Sequence, residues 1–229
     1  MIRIPKETLT RKGLKTPRAA AIAGILFSLL LMTSLILIKL SVPDNPSVPG
    51  EWLKDPILHD RILIALNIIP FSGIAFLWFI GVVRDLIGEQ EDKFFSSVFL
   101  GSGLIFVAML FASAAIAGGL LSIFAIDSRP QLSSDVLMYS RAITYSILYV
   151  YGMKMAGVFM ISTATVGLHT AAIPRWLGWL GYVFAAVLLL SISYWELTTL
   201  LFPIWILMLS VYILVQNYRH KLPASFQQR

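Results

Sequence analysis

The sequence contains no cysteine, which removes disulfides, thiolate metal sites, cysteine nucleophiles and palmitoylation in one step. Charge is scarce as well: of 229 residues, 13% are charged and 58% are apolar. A water-soluble domain with that balance has too little polar surface to cover itself, so the chain belongs in a membrane. Histidine is limited to His59, His169 and His220. A haem or metal site inside a helical bundle wants two or more ligands facing each other, and the apolar runs supply none, so no cofactor and no metal are expected. Acids are absent where they matter most. No Asp or Glu occurs in the central part of any apolar run, and a cation at that depth finds no carboxylate at its own level.

What the chain does have is long apolar blocks rather than alternation. Blocks near 20 residues match a helix crossing a hydrocarbon core of about 30 Å. The expected fold is all-α, a polytopic transmembrane bundle of six helices with no separate soluble domain. The organisation is a basic arm over 1–18, a transmembrane domain over 19–217 and a tail over 218–229. The spans run from about Ala19 to Val42, Arg61 to Val83, Phe94 to Ile126, Val136 to Gly167, Leu177 to Tyr194 and Thr199 to Asn217. The first run is too long for a signal peptide and lacks a small-residue cleavage site, so it reads as an uncleaved span. Pro43, Pro46, Pro49 and Pro56 break the connection that follows, and Glu51 to Asp60, with Trp52, is expected along the membrane surface.

Six spans place both termini on one side. Twelve Lys and Arg residues fall on that side and five on the other, which makes it cytoplasmic. The formal charge of +6 does not point to nucleic acid, because six of the eighteen basic residues lie in the first eighteen positions, directly before an apolar run. A juxtamembrane arm touching anionic lipid accounts for them. Asp85, Glu89, Glu91 and Asp92 form the one carboxylate cluster, read as a solvated turn.

One residue stands apart. Lys154 lies near the centre of the fourth run, thirteen residues from both Arg141 and Gly167, about 20 Å of helix each way. A charge at that depth costs from about 3 to more than 10 kcal/mol and is by default a functional hypothesis. Asn67 and the Leu66 carbonyl left free by Pro70 are candidate polar partners on the second span, and Tyr151 is a neighbour on the lysine's own helix. Lys154, Asn67 and Tyr151 thus form a candidate site for a small amphipathic anion or lipid. The structural alternative is a lysine that reaches headgroups or locks helix packing. Hydroxyls at Ser140, Thr144, Ser162 and Thr165 line the same helix, and the usual fate of such groups is a bond to their own backbone. On the third span, Ala108, Ala112, Ala115 and Gly119 share one face, with Ala114 and Gly118 beside it, and this stripe lets another helix approach. The expectation is that helix three packs centrally through it against helices two and four. No acid, base and nucleophile constellation is visible, and Gly101-Ser102-Gly103 lacks the spacing of a nucleophile elbow. No catalytic residue is assigned.

The run Ile173-Pro174-Arg175-Trp176-Leu177-Gly178-Trp179-Leu180-Gly181 resembles a signature of uncharacterised six-span bacterial integral membrane proteins of the domain-of-unknown-function type. Ala65-Leu66-Asn67-Ile68-Ile69-Pro70-Phe71 through Trp78-Phe79-Ile80-Gly81 is similar to stretches in such proteins. Together they cover about a third of the chain. The resemblance implies six helices and a bacterial inner membrane, and it brings no activity. The expected role is that of a non-catalytic accessory or scaffolding membrane subunit, with a partner protein or a second copy as its contact. The alternative is a binding protein or transporter that uses Lys154.

Overall fold

The structure, a computed structural model, describes residues 16–43, 55–87, 93–126, 134–191 and 196–219, with side chains over 18–43, 55–84, 97–123, 135–191 and 198–217. Most of the basic arm, Pro46, Pro49 and Trp52, the acids Asp85, Glu89, Glu91 and Asp92, Trp195 and His220 lie outside what is described at side-chain level. Among the described residues every regular element is helical. Helix α1 is Thr16–Ser41, α2 is Pro56–Ile87 and α3 is Lys93–Ile126. The fourth rod is composite: α4 (Ser134–Tyr145), a π-helical segment (Ser146–Gly152) and α5 (Met153–His169). Helix α6 is Arg175–Leu190, and a short 3-10 helix (Glu196–Leu200) leads into α7 (Leu201–Arg219).

Among the described residues five stretches are long and apolar enough to cross a membrane: Arg18–Ser41, Pro56–Arg84, Ser97–Ile123, Asp135–His169 and Thr198–Asn217. The chain is an integral membrane protein. The expected fifth span is the departure. Its apolar run forms the shorter helix Arg175–Leu190, about 24 Å long, because the backbone leaves the helix at Ser191, which is extended with φ −62° and ψ 116°.

Local chemistry sets several helix ends. The Asp55 carboxylate accepts from the Ile57 and Leu58 amides at 2.8 and 3.4 Å, and Pro56 occupies the first helical position, where its missing N–H is no loss. Pro56 to Asp60 therefore belong to the first turns of α2, and the surface piece expected there does not extend to them. Helix α2 continues through Pro70. Between α5 and α6 the chain turns within five residues. Ala171 takes the left-handed conformation, φ 53°, and the Ile173 amide donates back to the Gly167 carbonyl at 3.2 Å. Ile173 then lies so close over Gly167 that a β-carbon there would meet it at 2.7 Å. The Ile173-Pro174-Arg175-Trp176 motif is this turn and the start of α6.

The helices close into a ring in which α2 follows α1, α3 lies between α2 and α5, and α6 and α7 complete the circle back to α1. Aromatic rings fill its centre. Phe76 of α2 lies 4.5 Å from Phe27 (α1), 5.4 Å from Phe106 (α3), 5.1 Å from Phe159 (α5) and 5.5 Å from Phe202 (α7), measured between ring centroids. All five rings are fully buried. The bundle is thus solid at this level.

Candidate functional site: Lys154 and the outward face of α3

Facing residues fix the height of each helix against its neighbours. On α3 and the fourth rod, Gly152 meets Met109, and Gly103 meets Phe159. On α2 and α3, Leu66 is nearest Gly118, Gly73 packs on Phe111 and Val107, and Ile80 fills the space at Gly103. Interpolation places Lys154 level with residues 107–108 of α3 and with Phe76 of α2, at the height of the aromatic centre. Asn67 precedes Phe76 by nine residues, about 13 Å along the axis. It is exposed, and its side-chain amide donates to the Leu63 carbonyl of its own helix at 2.9 Å. The structure therefore does not bring Asn67 to Lys154. Tyr151 is near in sequence but is 62% exposed and points out of the bundle.

Lys154 itself is half-buried. Among the described residues it has no hydrogen bond and no ion pair. The residue is the second of α5, two positions beyond the end of the π-helical segment at Gly152. Such segments are rare and recur at functional sites. The helix hydroxyls do what apolar surroundings favour: Thr144, Ser162, Thr163 and Thr165 each donate to the carbonyl one turn back, at 2.7–3.0 Å. Thr165 also meets the Tyr182 hydroxyl at 2.8 Å, which ties α5 to α6.

The small-residue stripe is placed differently from expectation. Ala108, Ala115 and Gly119 are exposed and Ala112 is half-buried. A β-carbon added at Gly119 would meet nothing within 4 Å. Inside the chain α3 packs through Ser102, Gly103, Phe106, Val107, Leu110 and Ser113, with Ala114 half-buried against the core. The helix still lies against α2 and α5, but its most hydrophobic window is only 28% buried, against 39–56% for the other four spans. It is a peripheral helix, and its small-residue face points away from the bundle.

Among the described residues no group of three His, Asp or Glu side chains could hold a metal ion. Ser102 donates to the Val98 and Phe99 carbonyls, at 2.7 and 3.2 Å, so its hydroxyl serves the helix. Two features were not legible in the sequence. One is the π-helical segment, which no residue type marks. The other is Arg141, which donates to the Pro43 carbonyl at 2.6 Å and lies 5.3 Å from the centre of the Tyr145 ring. No family model matches the chain, and neither a curated protein nor a solved structure is significantly similar to it.

Proposed function

We propose that this chain is a non-catalytic accessory or scaffolding subunit of a membrane assembly. It is a six-helix protein of the bacterial inner membrane with both termini cytoplasmic, related to the domain-of-unknown-function proteins whose motifs it resembles. The observation that carries the reading is the orientation of α3: the stripe Ala108, Ala112, Ala115 and Gly119 faces away from the bundle. Small residues let helix backbones approach closely, which is the main source of helix association in lipid, where burying apolar surface gains little. A face of that kind unused within the chain fits a transmembrane helix of a partner or of a second copy. The absence of natural cysteine makes the test direct. Ala115→Cys in the full chain, oxidised in native membranes, is expected to give a disulfide-linked or bifunctionally cross-linked species of defined mass. Monomer alone, with complete reaction of the same cysteine toward a lipid-soluble maleimide, would mean that lipid covers this face.

A second reading, binding of a small amphipathic anion, is favoured by the half-buried Lys154, which has no ion pair among the described residues. In that reading the lysine supplies the charge contact, and Asn67 and Tyr151 do not complete the site.

A further inference from the structure

Helix α6 turns one ridge of side chains away from the bundle. Arg175, Trp179, Val183 and Val187 recur at every fourth residue, Trp176 and Leu190 flank the two ends, and all six are exposed. Residues four apart lie one above the other on a helix, so the ridge is continuous. It carries two chemistries. At its start stand a guanidinium and two indoles, and below them every group is apolar. Among the described residues Arg175 has no ion pair, and neither the Trp176 nor the Trp179 N–H has an acceptor. Trp205 differs, because its N–H is satisfied inside the bundle by the Leu177 carbonyl.

Neighbouring helices fix the level at which the ridge begins. Helices α1 and α2 are antiparallel, since Gly24 meets Phe79 while Ser34 donates to the Ala65 carbonyl. Gly103 meets both Ile80 and Phe159, which brings α3 and α5 into the same register. Arg18, Arg84 and His169 consequently lie at one end of the bundle, each about 12–15 Å along its helix from Phe27, Phe76 or Phe159. Arg175 follows His169 across the turn between α5 and α6. The side chains described at this end include these four bases and no acid. The turn is firmly held. The Ile173 amide donates to the Gly167 carbonyl at 3.2 Å, and Leu168 packs on Gly178, 2.6 Å from its β position. Tyr182 stands edge-on to Trp179 with ring centroids 5.7 Å apart, and its hydroxyl meets that of Thr165 on α5. From Trp179 to Leu190 the ridge runs about 16 Å, half of a hydrocarbon core of about 30 Å. Its apolar part is one leaflet deep.

We propose that this ridge is a site for one anionic phospholipid of the adjoining leaflet, with the phosphate on Arg175 and the Trp176 and Trp179 N–H groups and an acyl chain along Val183, Val187 and Leu190. Charge complementarity selects the headgroup. A guanidinium matches phosphate with paired N–H donors, and indoles favour the headgroup level, where their N–H groups find acceptors. A zwitterionic lipid would fit the apolar part equally well, so the cation does the discriminating. The held turn presents the three donors without an ordering cost at binding. The inference involves neither Lys154 nor α3 and is independent of both functional readings above.

The measurement uses the full chain in phosphatidylcholine bilayers that contain a minor fraction of spin-labelled lipid. A bimane fluorophore on Val187→Cys is quenched by a nitroxide near the end of a neighbouring acyl chain. The same fluorophore on Ile74→Cys, 47% exposed at a similar depth on α2, reports the ordinary lipid shell. Nitroxide-labelled phosphatidylglycerol should occupy the Val187 position about fivefold better than phosphatidylcholine labelled in the same way, the factor for one cation beside an anionic headgroup. The Ile74 position should show no such preference. Arg175→Gln should remove the preference, Arg175→Lys should retain it, and Arg84→Gln, at the same end of the bundle, should leave it intact. Equal preference at the two labelled positions, or equal loss in the Arg84 and Arg175 variants, means a general attraction of a basic chain for anionic lipid and overturns the site. A preference that survives Arg175→Gln overturns the headgroup contact, and no preference at Val187 overturns the anionic ligand. Weak quenching there by both lipids means that protein covers the ridge, which also overturns the proposal.

Discussion

Replacing Phe76 by alanine removes the ring on which four helices converge. Its ring lies within 6.1 Å of five others, those of Phe27, Phe79, Phe106, Phe159 and Phe202, and Phe76 is fully buried. In a soluble protein such a change costs about 3–5 kcal/mol, part of it the transfer of the side chain from water. That part shrinks in a bilayer, because separated helices still sit in hydrocarbon. The cavity term remains: a ring vacates roughly 100 Å³, which at about 24 cal/mol per Å³ gives about 2.4 kcal/mol. Lost ring-ring geometry adds about 0.5–1.5 kcal/mol for each well-formed pair, some of it recovered as neighbours relax. The expected destabilisation is about 3 kcal/mol, against less than about 0.5 kcal/mol for Phe71→Ala on the lipid-facing side of the same helix. Reversible unfolding in mixed micelles, followed by the fluorescence of buried Trp205, measures both. A cost for Phe76→Ala below about 1 kcal/mol, or one equal to that of Phe71→Ala, would show that the helices do not converge on this ring.

Other consequences are equally specific. Ala171 holds a positive φ of 53°, a conformation that costs an L-residue about 1 kcal/mol and glycine almost nothing, so Ala171→Gly should leave stability unchanged or raise it, while Ala171→Val lowers it by more than about 1 kcal/mol in the same unfolding assay. At Gly24 a β-carbon would come within 2.0 Å of the Ser210 Oγ and 2.7 Å of the Phe79 ring. Gly24→Val should therefore force α1 from α7 and destabilise the bundle by about 1–3 kcal/mol, and Ser210→Ala beside it should recover part of the loss. Trp205→Phe removes the indole N–H that donates to the Leu177 carbonyl at 3.1 Å. The expected cost is about 1 kcal/mol, because that carbonyl is left in a dry interior.

The number, length and order of most helices can be read from the sequence because lipid rewards long apolar runs whatever their neighbours. Which face of a helix turns inward is another matter. In water an apolar stripe must face the core, but hydrocarbon is as apolar as the core, so periodicity in α3 identifies a close-packing face without saying whose helix packs there. The bundle buries Phe106, Leu110 and Ser113 and leaves Ala108, Ala115 and Gly119 outside. The same limit explains α6. Leu177 to Tyr194 is uniformly apolar or aromatic apart from small residues, Ser191 and Ser193, and nothing in its composition announces that the helix stops at Leu190. Lys154 was legible as an anomaly because its charge conflicts with its depth. Its surroundings were not: the distance to Asn67 and the π-helical segment just before it depend on helix register and local backbone geometry, which no single run of residues encodes.

The helices of the ring are of unequal height, since α6 ends at Leu190, and this can be measured at two exposed positions. Leu190, 76% exposed, ends α6, and Leu40, 66% exposed, is near the end of α1. Leu189 packs on Gly157 of α5, and Phe159, half a turn on, meets Phe76 and through it Phe27, which puts Leu190 near the height of Phe27, about 20 Å of helix below Leu40. Nitroxide labels at Leu190→Cys and Leu40→Cys, read in bilayers by their relative accessibility to oxygen and to a water-soluble nickel chelate, report depth directly. The account predicts a label at 190 lying far deeper than one at 40, with oxygen dominating its relaxation. Equal depth at the two positions would mean that α6 reaches the far surface, and would contradict it.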